Sequence, residues 1–87
     1  MIEEFKKHRH TLYLGRWPLG QVVGPIQADG AVLDEEGVTR FQIIDNGLYA
    51  MSSELVGPIY RLGEEWVVPD DRDNCLYSIR RDLEARL

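Results

Sequence analysis

Short runs of alternating apolar and polar residues occupy most of the chain, and glycine, proline, aspartate and asparagine separate them. A period of two is typical of a strand that buries one face, and the separating residues favour tight turns. The pattern predicts strands near residues 11–15, 20–28, 31–34, 38–45, 48–52, 54–61 and 65–68. A short helix is predicted at about 2–9, because Ile2 and Phe5 lie on one side of it. Strands joined in this way imply an antiparallel meander.

The C-terminal segment has a different period. Four apolar residues recur there at helical spacing and form one stripe: Leu76, Ile79, Leu83 and Leu87. Aspartates just before the stripe provide N-cap candidates, and arginines towards the C-terminus complement the helix dipole. The sequence therefore predicts an amphipathic helix over about 71–87, and Pro69 ends the strand that precedes it.

A short phrase of the sequence occurs twice. "VVGPIQADG" at residues 22–30 returns as "LVGPIYRLG" at 55–63, with Val, Gly, Pro, Ile and the final Gly at the same offsets. Proline cannot donate a ladder hydrogen bond, so Pro25 and Pro58 indicate an edge or a bulge, and the glycine before each suits a strand bend. A phosphate-binding loop would instead need several glycines that open a helix. We interpret the phrase as scaffold, used in two similar bent hairpins.

Turn signals set the expected register of these hairpins. A turn at Asp29-Gly30 would pair Ile26 with Leu33. The same register in the second copy would pair Ile59 with Trp66. In both copies an apolar pair would then lie deep in the hairpin, which is what a repeated scaffold unit requires.

These elements together predict a single domain over residues 1–87 that is mainly β and borders on α+β. The antiparallel meander, over 11–68, curls into a small, partly open barrel. A short N-terminal helix precedes it, and the C-terminal amphipathic helix is laid against it. Because side chains fill so small a barrel, any ligand would have to bind outside it or at its mouth.

The hairpin around Asn46-Gly47 places apolar residues on both of its faces. One face forms the core side. The other face carries Ile44, Tyr49 and Met51, on the side that should contact water. Either the C-terminal helix or a second subunit must cover them. We favour a homodimer, because a twofold interface hides such a patch against its own copy.

Charge and composition narrow the classes of partner. The 87 residues carry a net charge of −5, and residues 21–73 hold three basic and eleven acidic side chains, which disfavours nucleic acid. No apolar run is long enough to cross a bilayer, and the charged N-terminus lacks the pattern of a signal peptide. The single cysteine, Cys75, fits a reducing compartment. We therefore expect a cytoplasmic protein that binds neither nucleic acid nor membrane.

Signals for catalysis and metal binding are weak. His8 and His10 could share a metal ion, but no Cys or His lies nearby to complete the site. Cys75 has no histidine close in sequence, and the aspartates before it oppose thiolate formation. The chain contains no nucleophile elbow, no Cys-x-x-Cys pair and no glycine-rich phosphate loop. The sequence therefore favours a non-catalytic protein without a metal site or a cofactor.

Arginines next to aromatic residues are the remaining signal of chemistry. Trp17, Tyr60, Arg61 and Trp66 form an aromatic–arginine set that can hold a planar or anionic group. Two hypotheses follow. The first is a non-catalytic interaction or oligomerisation module that binds itself or another protein. The alternative is a protein that binds a small organic anion through the aromatic–arginine set.

Overall fold

The computed structural model describes residues 2–16, 19–72 and 74–82, and it contains one short helix and nine strands within these ranges. The elements are α1 (Ile2–Lys7), β1 (His10–Leu14), β2 (Gln21–Ile26), β3 (Ala31–Leu33), β4 (Thr39–Ile44), β5 (Gly47–Ala50), β6 (Leu55–Pro58), β7 (Tyr60–Leu62), β8 (Glu65–Pro69) and β9 (Cys75–Arg81). The expected mainly β class and the short N-terminal helix are confirmed. No helix in the described part of the chain is long and apolar enough to span a membrane.

The strands form one antiparallel sheet that curls almost into a closed barrel. Their order across the sheet is β6-β5-β4-β3-β2-β1-β9-β8-β7, so every strand after β1 except β7 neighbours its predecessor, and β9 joins β1 to β8. The two edge strands, β6 and β7, are consecutive in the chain and only Ile59 separates them. The amide of Ile59 donates a hydrogen bond to the carbonyl of Asn46 at 2.7 Å. The expected meander and its barrel-like closure are therefore confirmed.

The predicted C-terminal helix is wrong over the described residues, because residues 75–81 form β9. This strand pairs with β1 on one side and with β8 on the other, so two ladders satisfy its backbone. Asp70, one of the aspartates expected to cap a helix, begins a turn instead. The carboxylate of Asp70 accepts hydrogen bonds from the amides of Arg72 and Asn74 at 2.8 and 3.0 Å. Leu83 and Leu87 of the predicted stripe lie outside the described residues.

Both copies of the repeated phrase build the same bulged segment. In β2, Leu12 of β1 faces Gly24 and the next pair skips Val23. In β6, Leu48 of β5 faces Gly57 and the next pair skips Val56. Both bulges therefore precede the Gly-Pro step, which agrees with the scaffold interpretation. The two hairpins are not alike beyond this step, because β2 continues to Ile26, whereas the second copy changes strands at Ile59.

Gly24 is required by the close approach of a neighbouring strand. A Cβ atom there would lie only 1.6 Å from the carbonyl oxygen of Leu33. Gly57 is similarly crowded, since its Cβ would lie 2.9 Å from Cγ1 of Val68. The glycine of each copy thus lets another part of the barrel wall approach the bent strand.

The predicted registers of the hairpins were wrong. Ile26 pairs with Val32 rather than Leu33, and Trp66 pairs with Arg61 rather than Ile59. In the β4–β5 hairpin, Ile44 pairs with Gly47, so the turn residues are Asp45 and Asn46 rather than Asn46 and Gly47.

Asp45 explains the shift in that turn. It takes the left-handed conformation, with φ of 53°, whereas a type I′ turn at Asn46-Gly47 would place that conformation on the two following residues. Aspartate tolerates this region better than most residues do. The predicted faces are unchanged, because Ile43 and Leu48 both point inward, where they now pair with each other, and are 1% and 0% exposed.

The inner face of the barrel holds one continuous apolar core. The buried residues that form it are Phe5, Leu12, Ile26, Val32, Ile43, Leu48, Ile59, Trp66, Val68 and Ile79. Phe5 belongs to α1, so the helix covers one end of the barrel. All of the other core residues lie on strands or, for Ile59, between β6 and β7.

Substitutions in β9 distinguish the strand from the predicted helix. In a helix, Leu76 and Ile79 would share one buried face, whereas in β9 they point to opposite faces and are 36% and 0% exposed. We expect Ile79→Ala to lower the free energy of unfolding by about 2–5 kcal/mol, and Leu76→Ala by about 1 kcal/mol or less. Urea denaturation measures both. Equal, large losses at the two positions would contradict the strand assignment.

Candidate functional site

Strand register brings a set of polar and aromatic side chains to one end of the barrel, on its inner side. Arg61 of β7 faces Trp66 of β8, and His10 of β1 faces Arg81 of β9. Glu64, in the turn before β8, lies at the same end. We call this end of the barrel the mouth. Helix α1 lies beside it.

An aromatic cluster forms the floor of the mouth. The rings of Phe5 and His10 are 4.9 Å apart, those of His10 and Trp66 are 5.2 Å apart, and those of Phe5 and Trp66 are 6.1 Å apart, all edge to face. All three residues are buried, with at most 6% of each exposed. Edge-to-face contacts of this kind add to the apolar burial. The cluster therefore attaches α1 to the barrel.

His10 is a buried imidazole with one nitrogen unsatisfied. Its Nδ1 lies 3.0 Å from the carbonyl oxygen of His8, which can only accept, so Nδ1 carries the proton when the ring is neutral. Nε2 is then an acceptor, and it is buried without a hydrogen-bond partner. Burial lowers the pKa of His10 below 6.5, although the hydrogen bond to His8 and the charges of Glu4 and Asp82 oppose that shift. The ring is consequently neutral at pH 7.

Arg61 lies over the indole of Trp66. Its guanidinium carbon is 4.4 Å from the ring centroid, which is cation–π geometry. Nε of Arg61 donates a hydrogen bond to the carbonyl of Gly63 at 2.7 Å, within the turn that joins β7 to β8. The turn and the indole together hold the guanidinium in place at the rim of the mouth.

A buried carboxylate on the outer side of the same strands forms ion pairs with two other arginines. Glu65 is 5% exposed and accepts from Arg16 at 2.7 Å and from Arg80 at 3.3 Å. The segment after β1 is held there as well, because the Ser78 hydroxyl donates to the carbonyl of Gly15 at 2.7 Å. Arg80 is therefore committed to Glu65, whereas Arg61 and Arg81 form no ion pair with any described residue.

A cavity of about 380 Å³ opens at the mouth. We call it the mouth cavity, and its lining residues are Glu4, His10, Arg61, Glu64, Trp66, Arg80 and Arg81. Charges of both signs surround its aromatic floor. Small-molecule sites are commonly concave, partly apolar and equipped with a few polar groups, with volumes of about 300–1,000 Å³.

The structure brings together only part of the aromatic–arginine set. Arg61 and Trp66 are in contact, but the neighbouring Tyr60 points to the opposite face and is 55% exposed. Tyr60 instead lines a separate depression with Pro58 and Pro69. Trp17 lies outside the described residues.

Sequence reasoning missed His10 and Arg81 as residues of the mouth. Arg81 could not be placed because its strand was predicted as a helix. His10 had been considered only as half of a metal pair with His8. A buried position for His10 could have been inferred from its alternation with Leu12 along β1, since both residues point inward and are buried.

The three residues predicted for an interface lie on the outer side of the barrel. Ile44 and Met51 are 50% and 57% exposed, and Tyr49 is half-buried. Leu55 of β6 faces Tyr49 and is 53% exposed, so it extends this surface. We call these four residues the outer patch. The competing explanation is that the C-terminal segment covers these residues. The part of it that forms β9 does not lie next to them, because three strands separate β9 from β4 in the sheet.

Cys75 and the histidines form no chemical site within the described ranges. The thiol of Cys75 donates to the carbonyl of Tyr77 at 3.1 Å, and burial raises its pKa. The side chain therefore stays a thiol at neutral pH. No group of three or more His, Cys, Asp or Glu residues in the described part of the chain is arranged to hold a metal ion.

No protein-family model, curated protein or solved structure matches this chain. The mouth cavity and the outer patch are therefore the two features from which a function can be inferred.

His10 gives the protein a testable dependence of stability on pH. Its pKa is lower in the folded than in the unfolded protein, so the unfolded state binds the proton more readily and stability falls as the pH decreases below about 6.5. The charged and titratable groups around it are Glu4, His8, Arg81 and Asp82. We expect His10→Gln to flatten the free energy of unfolding between about pH 5 and 6.5, measured in urea.

His8→Gln is the matched control, because it removes a half-buried imidazole beside the same helix and keeps the backbone carbonyl that His10 uses. This variant should retain the dependence on pH. A wild-type curve that is flat over this interval would contradict the buried, neutral state of His10.

Proposed function

We propose that this protein is a non-catalytic interaction module that pairs with a second copy of itself through the outer patch. The observation that carries the proposal is the exposure of Ile44, Met51 and Leu55, each at least 50% exposed, around the half-buried Tyr49. The barrel core is complete without these side chains. They are therefore available for a contact that the isolated fold does not make.

The outer patch is contiguous. Tyr49 pairs directly with Leu55 on one side and with Gln42 on the other, and Ile44 follows Gln42 on the same face of β4. Isolated apolar residues on a surface are ordinary, but adjacent ones on three neighbouring strands are typical of a surface that binds another protein.

Charges along β4 favour a second copy as the partner. Arg40 lies towards one end of the strand, where its Nε donates to the Asp34 carboxylate at 2.7 Å while 57% of its side chain stays exposed, and Asp45 lies exposed just beyond the other end. A twofold axis across β4 would run the two strands antiparallel and bring each Arg40 towards the Asp45 of the other copy. The same surface then complements itself in charge while it buries the apolar residues, as an isologous interface requires.

Ile44→Glu tests this proposal against a matched control. The change would bury an unpaired charge in the interface, so we expect a folded monomer where the wild type is a dimer. Leu62→Glu makes the same kind of change at a similarly exposed position on β7, 46% exposed, outside the outer patch. Light scattering should report a dimer for this control, and circular dichroism should be unchanged for both variants.

Met51→Glu repeats the test at a residue beyond the end of β5 that the fold does not bury. A wild type that stays monomeric throughout the micromolar range would contradict the proposal. So would variants of both Ile44 and Met51 that retain the molar mass of a dimer.

The alternative, binding of a small molecule, is favoured by a separate observation. Arg61 is held over Trp66 at the rim of a cavity of about 380 Å³. That site is on the inner side of other strands, and it does not depend on the outer patch.

A further inference from the structure

We propose that the mouth cavity binds a small zwitterion of the α-amino acid class. Its carboxylate would be held by Arg81 and Arg61, and its ammonium group by Glu4 and Glu64. This ligand differs from a simple organic anion, because it carries both charges on neighbouring atoms. The site is independent of self-association through the outer patch.

The unpaired charges around the mouth cavity are the first support. Arg61 and Arg81 line it together with Glu4 and Glu64, yet none of these four side chains forms an ion pair with another described residue. Oppositely charged groups thus surround one space without being within 4.0 Å of each other. An anion would satisfy only the arginines and would be repelled by the glutamates. A zwitterion satisfies both sets.

The floor of the mouth cavity adds an acceptor. His10 is 1% exposed and neutral, and its Nε2 has no donor. An unsatisfied buried acceptor has a cost that a ligand N–H group can remove. An ammonium group supplies such a donor, whereas a carboxylate has none.

The aromatic face at the rim is already occupied. Because the Arg61 guanidinium lies over the indole of Trp66, a ligand cation cannot take that face. The ammonium group is left to the carboxylates and to His10. The guanidinium, held by the Gly63 carbonyl through Nε, keeps its two terminal nitrogens for a carboxylate, which arginine binds with two parallel hydrogen bonds.

The size of the mouth cavity limits the ligand. A volume of about 380 Å³ lies near the lower end of the range for small-molecule sites. It is large enough for one amino acid. The indole of Trp66 in the lining favours a ligand with an apolar side chain.

The first experiment titrates the wild-type protein with each of the twenty common amino acids and follows backbone amide shifts by NMR. We expect saturable binding for at least one of them with a dissociation constant of about 1 mM or tighter, and the shifted amides should be those of the mouth. If none of the twenty saturates at about 10 mM, the proposal is wrong.

A matched set of ligands then separates a zwitterion site from an anion site. The best-binding amino acid is compared with its deaminated acid and its decarboxylated amine, which share the side chain and keep one charge each. We expect the amino acid to bind at least about tenfold more tightly than either, because each analogue loses one set of charge-assisted hydrogen bonds. Equal affinity for the acid would make this an anion site, and equal affinity for the amine a cation site; either result overturns the proposal.

Two charge-neutralising variants identify the partners of each group. Arg81→Gln should weaken binding of the amino acid and of the deaminated acid, while Glu64→Gln should weaken binding of the amino acid and of the amine. Arg72→Gln is the control, since Arg72 is an exposed arginine in the turn before β9 and does not line the mouth cavity. An equal loss for Arg72→Gln would show unspecific attraction and would contradict the site.

Binding of the amino acid by the Ile44→Glu variant tests whether the mouth cavity is independent of the outer patch. Because the outer patch and the mouth cavity share no residue, this variant should bind the amino acid as the wild type does whether or not it is monomeric. Loss of binding in a folded Ile44→Glu protein would contradict an independent site in the mouth.

Discussion

Closure of the sheet through one bent segment is the constraint on which the rest of the structure depends. The chain from 55 to 62 pairs with β5 through its first half and with β8 through its second half. Because the two sheet edges belong to one segment, few ladder groups are left for another chain to pair with. The change of partner occurs at Ile59, whose amide bonds to Asn46 and whose side chain enters the core. A bend this sharp explains the bulge and the crowded glycine just before it.

Closure also determines what the C-terminal segment must become. With β1 paired to β2 and β8 paired to β7, the opposite side of the barrel lacks one strand, and β9 fills that position. The apolar stripe does not distinguish a helix from this strand. Leu76 and Ile79 have a helical spacing, but the same spacing puts them on opposite faces of a strand. Tyr77 and Ile79, an aromatic and a β-branched residue, favour the strand, but only the long-range pairing with β1 decides the question.

Local pattern therefore predicted the elements that local chemistry controls, and it failed where distant strands decide. The strands of the meander and the inward position of Ile43 follow from alternation and turn residues, and both are observed. The observed turn, at Asp45 and Asn46, lies one residue before the predicted one. Asp45, Asn46 and Gly47 are all residue types that can accept positive φ, so the sequence does not decide between the two positions. Arg61 and Trp66 were grouped because they lie on one hairpin. Arg81 comes from the strand that was missed, so its position at the mouth could not be derived from the sequence.

The mouth combines features that conflict with stability. A neutral histidine with an unsatisfied nitrogen is enclosed by Phe5 and Trp66, where an apolar side chain would serve the core better. Four exposed charged side chains lie around it and form no ion pair among the described residues, whereas Glu65 on the outer side of the same strands is buried and pairs with two arginines. Positions that depart from local rules without a gain in packing are typical of sites that bind ligands. The outer patch departs from these rules in another way, because it exposes apolar side chains.

Both surfaces are attached to the same bent segment, with Leu55 in the outer patch before the bend and Arg61 at the mouth after it. The anchoring of Ile59, 5% exposed and hydrogen-bonded to Asn46, fixes the chain between them. A displacement at one end would have to move a buried core residue before it reached the other end. Packed interiors resist such small continuous shifts. The closure that creates the two surfaces thus also keeps them mechanically separate, so that each can be altered by substitution without changing the other.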